Sequence, residues 1–139
     1  MTTEFENGED ELNGETRQKL KDLSRTFLQL HKNLLEGAKM EYEAKNGAIA
    51  GANQYLQLVL DDPHFAWLRK ISSMIALIDE AVSMRRAASE PQALALLNEV
   101  KLLLNFEDAD EDFNREFQTA LQKNADAVLS YNAALNSVV

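Results

Sequence analysis

Between Glu15 and Lys45 the apolar residues fall at Leu20, Leu23, Phe27, Leu30 and Leu34, an alternation of three and four that one face of an α-helix satisfies and a strand does not. Leu28, Leu35 and Ala38 widen the stripe beyond a two-stranded seam, so this helix has to bury against several neighbours. It ends at Asn46-Gly47, where glycine accepts the left-handed backbone of a helix C-terminus. With Gly 5 and Pro 2 in 139 residues, few other interruptions are available, and no stretch alternates with period two for long enough to make a strand. The pattern therefore predicts an all-α protein.

The remaining elements follow from local signals. A short helix resumes near Ala52 and carries Tyr55, Leu56, Val59 and Leu60. Asp61-Asp62-Pro63 then stops one helix and starts another, with Asp62 placed to cap and Pro63 suited to the first helical position. The third helix, about 63–86, is apolar on more than one side (Phe65, Trp67, Ile71, Met74, Leu77, Ile78, Val82) and is expected to be the most buried element. Ser89-Glu90-Pro91-Gln92 has the arrangement of a capping box and opens a fourth helix to Asn105. After an acidic run, Asp108 or Asp110 caps a fifth that continues to about Asn136. Its inner face is marked by Phe113, Phe117, Leu121, Val128 and Leu135, with Ala120 and Ala125 permitting close approach. The reading is a single bundle domain over residues 15–139, of four main helices plus one short one. Residues 1–14, acidic and nearly without apolar side chains, are expected to form a disordered tail.

The net charge of −9 is unevenly placed. Glu4, Glu6, Glu9, Asp10, Glu11 and Glu15 give the first fifteen residues −6, while Glu107, Asp108, Asp110, Glu111, Asp112 and Glu116 against Arg115 give residues 106–116 a further −5. The seven Lys and Arg of residues 17–45 are interleaved with Asp22, Glu36, Glu41 and Glu43, which reads as a solvated helix face and not as a phosphate-binding stripe. No nucleic-acid partner is expected. The acidic N-terminal segment lacks the apolar core of a secretory signal, and no apolar run reaches the ~20 residues that span a bilayer, so the expectation is a cytoplasmic protein with no membrane partner. Zero cysteine removes disulfide scaffolds, zinc ribbons and thiol nucleophiles.

Motifs for chemistry are missing or incomplete. The residues three before His31 and His64 are Leu28 and Asp61, the latter cut off by Pro63, so the Glu-x-x-His pairs of a di-iron bundle are absent. Asp108-x-Asp110-x-Asp112 starts like a calcium loop, but Phe113 stands where glycine must turn and Thr119 where a bidentate carboxylate belongs. Acids gathered at a helix N-terminus explain that run better. Gly47-x-x-x-Gly51 lacks the Lys-Ser/Thr of a phosphate-binding loop. Arg69, Asp79, Arg85 and Arg86 superficially suggest a helical mutase, without a second arginine-rich inner face. No catalytic residue, metal ligand or cofactor is assigned.

What stands out is Asp61-Asp62-Pro63-His64-Phe65-Ala66-Trp67-Leu68-Arg69, which holds the only tryptophan. Trp67 and Arg69 are residue types that dominate interface energetics. Equally, Trp67 and Phe65 can fill the end of a bundle while Arg69 extends to solvent. His31, beside Leu30 and Leu34, reads as a hydrogen-bonded structural histidine.

Leu30-His31-Lys32-x-Leu34-Leu35, Tyr42-Glu43, Gly47, Asp62-Pro63-x-Phe65-Ala66-Trp67-Leu68-Arg69 and Ile78-Asp79-Glu80-Ala81 resemble a set of small uncharacterised bacterial all-helical proteins. The resemblance covers most of residues 16–135 and implies a bacterial, cytosolic, single-domain protein. It implies no activity, cofactor or site. The combined expectation is a non-enzymatic interaction protein, binding a protein partner or itself, with candidate binding residues His31, Tyr55, Phe65, Trp67 and Arg69. The alternative is a small-molecule pocket near Tyr55, Trp67 and Arg69. Covalent catalysis is the weakest of the three.

Overall fold

The computed structural model describes residues 11–139, which form six α-helices and no strand. They are α1 (Gly14–Asn46), α2 (Ala52–Asp61), α3 (Leu68–Ala81), α4 (Glu90–Leu104), α5 (Glu111–Gln122) and α6 (Ala125–Val138), with a 3-10 turn over Pro63–Phe65. Of the expected disordered segment, residues 1–10 lie outside the described residues. Leu12 packs against the core, and Asn13 caps α1 by accepting from the Glu15 N–H. Asn13 also donates its own N–H to Glu90 at 2.7 Å, joining the start of α1 to the start of α4.

The central element is α1, not the third helix. Its 33 residues run roughly 50 Å, and the stripe Leu20, Leu23, Phe27, Leu30, Leu34 is buried along its length. α3 and α6 lie antiparallel on its two flanks: Ser24 and Asp79 pair on one side, and Thr26 meets Ser137 while Asn33 meets Ser130 on the other. α4 closes the bundle against α6, α1 and α3. α3 buries only one stripe, Leu68, Ile71, Met74, Ile75, Ile78 and Ala81, and Leu77 is 52% exposed. Its apolar residues exceed what its neighbours cover. The helix also stops at Ala81; residues 82–89 connect it to α4, and the Val82 carbonyl accepts from the Arg17 guanidinium of α1 at 2.6 Å.

The expected fifth helix is two. Its buried positions, Phe113, Phe117 and Leu121 followed by Ala127, Ser130, Ala134 and Val138, do not share one 3.6-residue phase across Lys123-Asn124. Asn124 caps α6 through the Ala127 N–H and donates its side-chain amide to the Asn33 carbonyl of α1. α6 therefore approaches α1 with Ala127, Ser130 and Ala134, small residues that allow close packing. Val128 is 38% exposed, Leu135 is half-buried and Ala125 is exposed, so these three do not form the inner face. The caps at Ser89–Gln92 and Gly47 form as their residues dictate, the first as a full capping box and the second with φ 88°.

Candidate functional site

The Asp-Asp-Pro break places two aromatic residues on opposite sides of a single turn. Asp62 accepts from the His64 N–H at 2.9 Å, Pro63 opens the 3-10 turn, and α3 starts directly after Trp67. Phe65 is fully buried, with ring centroids 5.0 Å from His64, 5.8 Å from Tyr42 and 6.2 Å from Tyr55. The His64 Nε2–H donates to the Ala38 carbonyl at 2.7 Å, because a carbonyl can only accept. Trp67 turns the other way, 6.1 Å from Phe113 and 6.5 Å from Phe117, and is half-buried.

Trp67 lies in an open groove of about 1980 Å³ bounded by the C-terminal half of α1, residues 63–77, the end of α4 and α5. Exposed or half-buried apolar side chains face it: Trp67, Met40, Leu77 and Leu102, the last 41% exposed. Lys70 is also on its lining, bound to Asp108 at 2.7 Å and 5.8 Å from the Phe113 ring centroid. Burial alone would raise the Asp108 carboxyl, but the Lys70 hydrogen bond, the Asp110 N–H and the Lys70 charge together hold it below the ordinary carboxylate range.

The α4–α5 connection that carries Asp108 is strained. The Phe106 and Glu107 N–H groups bond back to the Leu103 and Leu102 carbonyls, the pattern of a Schellman cap, with Phe106 at φ 61° where glycine normally sits. Its ring is stacked 5.7 Å from Tyr131 and lies 5.3 Å from Phe117, and the Tyr131 hydroxyl donates to the Leu104 carbonyl at 2.6 Å. Aromatic packing thus holds the backbone that presents Glu107 and Asp108 to the groove.

The five candidate residues do not converge. Trp67 and Arg69 line the groove; Tyr55 and Phe65 belong to the aromatic cluster on the other side of the turn; His31 stands on α1 about 10 Å along the axis from Ala38. The half-buried His31 ring makes no hydrogen bond to another described residue. Burial lowers its pKa from 6.5. Lys39 sits 5.0 Å from the Tyr55 ring centroid, and burial, then Glu36 and Glu43, push the Tyr55 hydroxyl pKa up. The arginine set also disperses: Asp79 is engaged by Ser24, while Arg85 and Arg86 lie exposed beyond the end of α3. In the acidic run, Asp110 caps α5 through the Phe113 N–H and Asp108 is held by Lys70.

Neither Leu102 nor the Phe106 backbone carries a motif in the sequence, and Leu77 reads there only as one more apolar residue of the third helix. The signal for the two leucines was their position off the buried stripes of α3 and α4. No protein-family model, curated protein or solved structure matches the chain. No helix among the described residues is long and apolar enough to cross a membrane.

Proposed function

We propose that this protein is a non-enzymatic, cytoplasmic interaction module whose recognition surface is the groove around Trp67. The observation that carries this reading is the groove's combination of size and lining. Small-molecule pockets enclose roughly 300–1,000 Å³ and bury most of their ligand. A groove of about 1980 Å³, open to solvent and floored by Trp67, Leu77 and Leu102, suits a segment of another protein better. The small-molecule alternative has less to support it, since Tyr55 and Trp67 face different sides of the 63–67 turn.

The test is co-purification from the native host. Leu77→Glu and Leu102→Glu alter exposed side chains and should leave the fold intact while removing a protein retained by the wild type. Leu129→Glu, exposed on α6 outside the groove, should retain it. Sedimentation reports whether that partner is a second 15.6 kDa chain. Loss of the partner in all three variants, or in none, would contradict the assignment.

A further inference from the structure

The groove carries a charge asymmetry as well as an apolar floor. Three of its ion pairs neutralise themselves: Lys70 with Asp108, Lys123 with Glu41, and Arg115 with Asp112. Among the described residues that leaves Glu36, Glu99, Glu107, Asp110, Glu116 and Asp126 on the lining against only Lys45 and Arg69. These acids come from α1, α4, α5, α6 and the α4–α5 connection, so the fold, and not one acidic run, assembles the negative rim.

From this we infer that the groove takes an amphipathic helix with lysine or arginine on its polar face, supplied by a partner protein. The inference rests on the groove being a docking surface, and it names the chemistry of what docks. Apolar side chains at helical spacing would cover Trp67, Leu77 and Leu102, while the cationic face meets the rim. A helix fits better than an extended segment, because it satisfies its own backbone and the described residues offer no sheet edge for an added strand. Free anions and acidic peptides are repelled by the same rim.

Trp67 is the only tryptophan, so its fluorescence reports the groove directly. The probes are synthetic peptides of roughly 18 residues, about 27 Å as a helix, without Trp or Tyr. One is Leu/Lys amphipathic, one has Gln for every Lys, and one is a scramble of the Leu/Lys composition. The Leu/Lys peptide should shift Trp67 emission and bind at least roughly tenfold more tightly than either of the others. Its binding should weaken with salt. Leu77→Glu/Leu102→Glu should reduce the affinity roughly tenfold, and so should Glu107→Gln/Glu116→Gln, whereas Glu80→Gln, exposed outside the groove, should not. Equal binding by the Gln peptide would overturn the cationic assignment while leaving the docking surface standing. Equal binding by the scramble, or insensitivity to the groove variants, would show adsorption to an acidic protein and overturn the inference. No Trp67 response to any amphipathic peptide would overturn both.

Discussion

Phe106 shows how a single residue is held against its own preference. A left-handed backbone costs a non-glycine residue about 1–2 kcal/mol, and here stacking on Tyr131 and tilted ring contact with Phe117 offset it. Phe106→Ala should therefore lose the ring and keep the strain, whereas Phe106→Gly loses the ring and releases the strain. Chemical denaturation should find the glycine variant more stable than the alanine variant by about 1 kcal/mol, the reverse of the usual order. The same or a lower stability for glycine would mean that the backbone there is relaxed. His31 supplies a second residue-level expectation. Because burial lowers its pKa from 6.5, the unfolded chain takes up the proton at a higher pH than the folded one. Stability is thus lost as pH falls from 6.5 toward the lowered value. Asp108, held below 3.8, adds a loss only at still lower pH, as its folded-state value is crossed. Urea midpoints at pH 7 and pH 5 should fall further for the wild type than for His31→Gln. An equal fall in both would contradict the burial of the imidazole.

At the scale of elements, the junction of α5 and α6 is set by one contact. A Cβ on Gly37 of α1 would lie 2.8 Å from the Asn124 side-chain nitrogen, and that amide is committed to the Asn33 carbonyl while its oxygen caps α6. Gly→Ala within a helix ordinarily gains about 1 kcal/mol. In the wild type Gly37→Ala should show none of that gain, because it displaces a cap worth about 1 kcal/mol. In an Asn124→Ala background the same change should stabilise. A double-mutant cycle by thermal melting measures this, and a stabilising Gly37→Ala in the wild type would refute the contact. The junction also shows what was legible beforehand. The α1 stripe, the Ser89 capping box and the Gly47 cap are local patterns, and each forms as its residues require. No local signal splits the helix at Asn124, since Phe117, Leu121 and Val128 look continuous, and only tertiary packing selects Ala127, Ser130, Ala134 and Val138 as the buried residues of α6. Trp67 and Arg69 stood out by residue type. Their separation from Tyr55 and His31 depends on which way the 63–67 turn faces, which no spacing encodes.

For the whole molecule, the placement of charge matters more than its sum. Residues 106–116 alone read as a helix start, and Asp110 does cap α5. In three dimensions Glu107 and Glu116 join Glu36, Glu99 and Asp126 around an apolar floor, so the acidity acquires a location that faces outward from the bundle. That floor exists because α3 and α4 carry more apolar residues than α1 and α6 can cover. On the proposed reading a protein partner occupies this groove. A photo-crosslinking residue in place of Ser73, exposed on the groove wall, tests it inside the native cell against the same residue in place of Asn132 on α6. A discrete heavier adduct should form from position 73 and none from 132; no adduct from 73, or the same adduct from both, would mean that no protein partner occupies the groove.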